Sequence, residues 1–263
     1  MTLPDVPDTF HWTPEPWGAA LRCRPLAAVA PHLFTTRHLA LTDDGYRQLA
    51  AAIGAADVVT VTQVHGSAVI VVRRDGARPT TAPEADALVS DDPTTGIAVR
   101  AADCVPLLMA DRVRGVVAAV HAGWRGTAAR AAVAGLAALT TEFGTMPADV
   151  VVAIGPNIGP CCYEVGSELV DAFAAAGHER HLIARWFSTP PPPRGTFAAP
   201  SRAPRLRLDV AGANRDQLVL AGVPEDQIHV AGLCTAMHLD VLTSYRAEKE
   251  RAGRIAAAIR ARP

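Results

Sequence analysis

The apolar positions of the chain fall into short runs broken by turn residues, and these runs set the predicted elements. Residues 58–64 are rich in β-branched side chains and read as a strand that His65-Gly66 ends. A second run, 68–72, follows at once, so a tight hairpin is predicted. Further strands are expected at 97–101, leading into Asp103-Cys104, at 115–120, stopping at His121, and at 150–154, ending in Gly155-Pro156. Helical spacing appears at about 128–139, an Ala-rich stretch, and again at 167–175 and 214–221. Residues 205–210 alternate like a half-exposed strand, and 228–231 and 239–241 are short strands. The segment 246–260 reads as an amphipathic helix that closes the chain. Strands and helices mix without regular βαβ alternation, which points to an α+β fold with a mixed sheet.

Two stretches lack such a pattern. Residues 1–30 are read as an irregular N-terminal segment, and 188–204, with proline at each of 190–193, as an extended surface loop. Proline removes an amide donor and fixes φ, so neither strand nor helix suits the loop. Strand-like and helix-like segments resume beyond it, so the expectation is one domain over 1–263.

Composition narrows the class. Hydrophobic residues make up 49% of the 263 but aromatics only 5%, so Ala, Val and Leu must fill the core. A formal net charge of -1 carries no footprint for nucleic acid or an anionic membrane. No apolar run reaches the roughly 18 residues of a membrane span. The proline- and acid-rich residues 1–17 do not resemble a secretory signal, so a cytoplasmic location is expected. The five cysteines, Cys23, Cys104, Cys161, Cys162 and Cys234, are too few and scattered for a disulfide framework.

Three residues stand out for chemistry. His65, Cys104 and His121 each sit where an apolar strand leaves the core. Abutting strand ends place polar side chains in one crevice, so long sequence gaps are compatible with short distances. Two imidazoles and a thiolate suit zinc, which accepts nitrogen and sulfur, and three protein ligands leave a position open for catalysis. Each of the three is equally compatible with an ordinary turn or core role when taken singly, and their spacing matches no local zinc motif. Asp103 is a candidate to orient a ligand imidazole. The turn His121-Ala122-Gly123-Trp124-Arg125-Gly126-Thr127 has glycines that let backbone amides approach a ligand, and Arg125 offers a forked donor for phosphate. Adjacent cysteines point apart, so Cys161-Cys162 is expected to be structural rather than a chelating pair. His178 and His181 read as one solvated helix face, and His229 and His238 as structural. The chain has no GxGxxG, P-loop or GxSxG motif and no Pro-Cys-x-x-Cys deaminase half-site. It also has no His-x-His pair of the kind a multi-copper cluster uses.

The motifs Thr62-Gln63-Val64-His65-Gly66, Ala85-Asp86-Ala87-Leu88-Val89, Ala102-Asp103-Cys104-Val105-Pro106-Leu107-Leu108 and His121-Ala122-Gly123-Trp124-Arg125-Gly126 closely resemble the laccase-domain (YfiH/YlmD-like) family. The likeness continues through Ile154-Gly155-Pro156, 158–166, 208–223, Cys234-Thr235 and Ser244-Tyr245-Arg246. Members carry the labels polyphenol oxidoreductase, purine nucleoside phosphorylase and peptidoglycan editing factor. The resemblance implies a sandwich-like α+β fold with flanking helices, and His65, Cys104 and His121 as catalytic ligands of zinc, with copper ranked behind it. It also implies phosphorolysis of adenosine, inosine, guanosine and S-methyl-5′-thioadenosine, and adenosine deamination, by a monomer or homodimer. Arg37, Arg125 and Arg246, in that order, are the expected phosphate-binding residues. The rival readings are a cysteine hydrolase with Cys104 as nucleophile, one version of which edits peptidoglycan precursors, a binding protein with structural zinc, and a copper-dependent phenol oxidase. The chain departs from its relatives after Phe34-Thr35-Thr36-Arg37, where Gly-Val-Ser and Ser-Leu-Asn-Leu-Gly stretches are missing. If those stretches wall the substrate pocket, substrate choice changes with them.

Overall fold

A computed structural model describes residues 2–76, 81–189 and 205–263. In chain order the strands are β1 (Phe10–Glu15), β2 (Gly18–Cys23), β3 (His32–Thr35), β4 (Asp57–Val59), β5 (Val69–Val72), β6 (Ala87–Ser90), β7 (Thr95–Ala101) and β8 (Val105–Asp111). They continue with β9 (Val117–Ala122), β10 (Val150–Ile154), β11 (Glu164–Val165), β12 (Phe187–Ser188), β13 (Leu206–Leu208), β14 (Ile228–Val230) and β15 (Ile255–Arg260). The helices are α1 (Arg24–Ala27), α2 (Asp43–Ala52), α3 (Trp124–Ala128), α4 (Ala131–Phe143), α5 (Glu168–Ala175), α6 (Arg180–Trp186), α7 (Val210–Leu220) and α8 (Tyr245–Glu248).

Two mixed six-stranded sheets carry the fold. One runs β1-β2-β3-β15-β7-β4 and the other β14-β10-β8-β9-β6-β5, with β11-β13-β12 forming a small third sheet. Strand alternation assigns each face. In β9, Val117 and Ala119 join Ile97, Val99, Ile255 and Ile259 of the opposite sheet in the central core, while Ala118 and Val120 pack beneath α4, α6 and α7. On the far face of the first sheet, Ala20, Ala98, Ala256 and Ala258 lie under Leu49 and Ile53 at α2. The layers are therefore helix, sheet, sheet, helices. Small alanines on both outer faces let the helices approach closely, which explains a core built with few aromatics. The α+β sandwich-like expectation holds. Among the described residues no helix is long and apolar enough to cross a membrane.

Several local expectations are corrected. The predicted closing helix at 246–260 is instead α8, a 3-10 turn at Lys249–Arg251 and the central strand β15. Helix propensity separates ordinary residues by only a few tenths of a kcal/mol. Fully burying Ile255 and Ile259 between sheets contributes roughly 2–3 kcal/mol each, so packing wins. The supposedly irregular 1–30 contains the β1–β2 hairpin, in register from Phe10↔Cys23 to Glu15↔Gly18. The predicted 58–72 hairpin does not exist. β4 pairs in parallel with β7 of one sheet and β5 in parallel with β6 of the other, so the chain crosses between sheets at His65-Gly66. Residues 239–241 form a turn, and the first helix after His121 breaks at Arg130, whose φ is 59°. Of the predicted proline loop, Ser188 belongs to β12 and 190–204 lie outside the described residues.

Candidate metal centre

Register builds the site. β8 and β9 run antiparallel with Val105↔Ala122, so the next step of the ladder sets Cys104 beside Gly123. β6 and β9 are antiparallel with Ala87↔Val120, which sets Asp86 beside His121. Asp86, Cys104 and His121 share the alternation of Leu88, Leu108 and Ala119, which face the central core. All three thus leave the second sheet on its inner side at one end, where the sandwich opens. His65 arrives from the first sheet on the crossing segment.

The ligand atoms of His65, Cys104 and His121 lie within 4.8 Å of one another. The two imidazole rings meet edge to face with centroids 5.0 Å apart. His121 is buried, Cys104 half-buried and His65 exposed, so the group has a buried floor and an open mouth.

Asp86, fully buried, holds the arrangement. Its carboxylate accepts the consecutive amides of Val64 (3.2 Å), His65 (3.0 Å) and Gly66 (2.6 Å) and the Nδ1–H of His121 (2.8 Å). The amide cradle is a nest around an anion, and it holds His65 at a φ of 62°, a left-handed conformation that costs a non-glycine residue about 1 kcal/mol or more. Nδ1 of His121 is committed to Asp86, which leaves Nε2 for the cleft. Asp103, expected to orient an imidazole, does not do so. It also has a positive φ, 85°, and its carboxylate accepts Thr235 Oγ1 at 2.6 Å and the Arg246 amide at 2.6 Å. Sequence reasoning missed Asp86 in this role. The usable signal was an acidic residue opening a strand whose other positions are all apolar or small.

Protonation follows from these contacts. Burial alone would raise the Cys104 thiol, but hydrogen bonds with His121 and His65 outweigh it and bring the pKa down to about 7. For His121 burial works downward, and the bonds to Asp86 and Cys104 overcome it, raising the imidazole to about 9. Two imidazoles and an easily ionised thiol, with one ring pinned by a carboxylate, fit a borderline-soft cation such as zinc.

Gly123 is required by space. A Cβ there would sit 2.8 Å from Cys104 Sγ and 3.0 Å from His65 Cδ2. Gly123→Ala is therefore expected to displace a ligand and weaken metal binding at least about tenfold, a loss on the scale of disturbing a ligand's support. Chelator competition would measure it, and unchanged affinity would contradict this geometry.

The ligand group opens into a cleft of about 650 Å³. Arg100, Arg125, Arg246, Lys249 and Arg254 line it, against the single carboxylate of Asp103 among its described lining residues. Trp124, Tyr163 and Tyr245 supply aromatic walls. Arg125 stacks over Trp124 at 4.4 Å and Arg246 over Tyr163 at 5.2 Å. Arg37 is placed elsewhere. It donates to the carbonyls of Leu239 and Leu242 and pairs with Glu248 at 2.9 Å, tying the segment after β3 to α8 and the turn before it. His178 is another correction. It is buried, bonds the Ala128 carbonyl at 2.9 Å and packs on Phe173 and Trp186, while His181 stays exposed beside Glu179.

Comparison with known proteins adds to this geometry. A family model described as "Multi-copper polyphenol oxidoreductase laccase" matches residues 40–262. A purine nucleoside phosphorylase of Bacteroides thetaiotaomicron is 36% identical over 174 residues, 66% of this chain and 60% of that protein, so the match spans less than two thirds of that relative. A purine nucleoside phosphorylase of Deinococcus radiodurans is 34% identical over 267 residues, covering 92% of this chain and 93% of that protein. The crystal structure of YlmD from Geobacillus stearothermophilus aligns with a TM-score of 0.78 and 31% identity, over 98% of this chain and 100% of that one.

Proposed function

The chain belongs to the family described as multi-copper polyphenol oxidoreductase laccase, and from that premise we propose that it is a zinc-dependent purine nucleoside phosphorylase. Its expected substrates are adenosine, inosine, guanosine and S-methyl-5′-thioadenosine, with adenosine deamination as a second activity. The observation that carries the reading is a three-ligand group, open on one side, at the floor of a cationic, aromatic-walled cleft. Two imidazoles and one thiolate with an open position suit catalytic zinc and do not supply the histidine-rich donors of a multi-copper cluster.

When bound, the metal supplies Lewis acidity beside the reacting nucleoside. In phosphorolysis a phosphate oxygen bonds to ribose C1′ as the C1′–N9 bond breaks, and the purine leaves with the electron pair and takes up a proton. In this reading Arg125 and Arg246, which lie over Trp124 and Tyr163, would hold the phosphate. Tyr163 and Tyr245 offer apolar faces to the base and ribose. Losing a charge-assisted hydrogen bond costs about 1.5–3 kcal/mol, so Arg125→Ala is expected to raise the phosphate KM roughly 10–100-fold.

The test is product analysis on the four nucleosides with zinc-loaded protein, with and without phosphate. Adenine formed from adenosine only when phosphate is present is the expected result. Inosine formed in either case would mark deamination. No base released from any of the four would overturn the reading.

One observation favours a second reading. Cys104, His121 and Asp86 are chained by hydrogen bonds, with the thiol lowered and the imidazole raised, the arrangement of a metal-free cysteine hydrolase. Activity that survives a strong chelator but is lost on thiol alkylation would select it.

A further inference from the structure

A second sulfur cluster lies behind the cleft wall. The Sγ atoms of Cys161, Cys162 and Cys234 all lie within 4.8 Å of one another. We infer that these three thiols form a separate site for a thiophilic d10 cation, Zn(II) or Cu(I). In sequence the adjacent pair looked unfit for chelation, because side chains diverge along an extended chain. The segment is instead a tight turn, with the amides of Cys162 and Tyr163 both bonding the Gly159 carbonyl at 3.0 Å, and that turn brings both thiols to the same neighbour.

The cluster is built on paired backbone. Asn157 and Cys234 form a bridge, with Asn157 N bonding Leu233 O at 3.1 Å and Thr235 N bonding Asn157 O at 3.0 Å. The Gly159 amide donates to Cys234 Sγ at 3.3 Å, an interaction that favours a thiolate. Arg207 donates to the carbonyls of Pro160 and Cys161 and so adds a cation beside the loop. With Zn–S bonds of about 2.3 Å, tetrahedral sulfurs sit about 3.8 Å apart, so the observed spacing closes on a cation with small movements. A disulfide would need one pair drawn to about 2.0 Å and would leave the third thiol unused. Soft sulfur donors with no carboxylate select against Mg(II) and Ca(II).

Without a cation the thiols oppose one another's ionisation. Burial, then the neighbouring sulfurs, push the Cys162 thiol up to about 12, and burial likewise raises Cys161. Binding therefore exchanges thiol protons for the metal. The segments involved also grip the first site's surroundings, since Ile158 N bonds Asp103 O at 2.9 Å and Thr235 holds the Asp103 carboxylate. A cation here would brace that wall of the cleft.

The experiment is metal stoichiometry on the reduced full chain under anaerobic conditions, with Zn(II) and Cu(I) in separate arms. Mass spectrometry would map which cysteines resist alkylation. A second equivalent in at least one arm is expected, with Cys161, Cys162 and Cys234 protected together. Cys104→Ala should keep that equivalent and lose the other. Cys161→Ser, at an exposed position, and the Cys162→Ser/Cys234→Ser double variant should each lose it and keep the first. A single equivalent in both arms with all three thiols freely alkylated would overturn the site. So would a second equivalent that survives in the double variant, or recovery of a disulfide from a cluster that takes no metal when reduced.

Discussion

Asp86→Asn is expected to lower metal affinity about 10–100-fold, the usual consequence of losing a carboxylate that orients a ligand imidazole. It is also expected to cost roughly 2–4 kcal/mol of stability, because a buried acceptor of several hydrogen bonds is replaced by a group that turns a donor toward donors. In the wild-type protein one carboxylate serves three amides and the His121 ring. The asparagine oxygen cannot serve both ends, so either the His65 loop leaves its left-handed conformation or His121 loses its orientation. The pH dependence separates this from a general packing defect. Burial alone would raise the Asp86 carboxyl, but its bonds from His121 and the Gly66 and His65 amides outweigh that and hold it below the usual carboxylate range. Its contribution is therefore complete above the unfolded value near pH 4 and is lost only as pH falls through the lower folded value. Melting metal-free wild type and variant should show a gap that widens as pH falls from about 9 toward 6.5, because Asp86 is part of what raises His121, then stays level and narrows only in stronger acid. A variant that melts like wild type and keeps its metal would refute the role given to Asp86.

Cys104→Ala should have the larger effect on activity. It deletes one of three donor atoms and little else, since the side chain is only half-buried at the entrance to β8. Structural zinc sites are worth roughly 10–16 kcal/mol over four ligands, so one ligand corresponds to about 3 kcal/mol, or 10²–10³-fold in affinity. Phosphorolysis and any deamination should disappear together while the melting temperature of metal-free protein barely moves. Elemental analysis, single-turnover assays and melting of the metal-free protein would measure these. Full activity in this variant would sink the metal-dependent scheme and the cysteine-nucleophile alternative alike.

The residues that gather at the cleft were readable because their chemistry is local. His65, Cys104 and His121 stand at the ends of apolar runs, and a donor side chain there is conspicuous. The role of Asp86 is not legible in its motif, because nothing in 85–89 says which strand lies alongside. Arg37 looked like a phosphate ligand from its motif, but its partner, Glu248, is more than two hundred positions away in sequence and its proximity is a tertiary fact. The thiol cluster escaped for the same reason, since it needed both a turn at 159–163 and the bridge to Cys234.

Sequence by itself determined the α+β class, the buried strands β7, β9 and β10, a core filled by Ala, Val and Leu, and His65, Cys104 and His121 as candidate donors. Alternation, composition and donor type act over a few residues and survive without knowledge of neighbours. Only the tertiary structure decided that 58–72 bridges two sheets instead of folding back, and that the last helix-like stretch is a central strand. It also decided that Asp86, Cys104 and His121 leave adjacent strands at the same end and on the same face. Register and sheet membership arise from pairing between distant segments, and burial worth several kcal/mol overrides local propensities worth tenths.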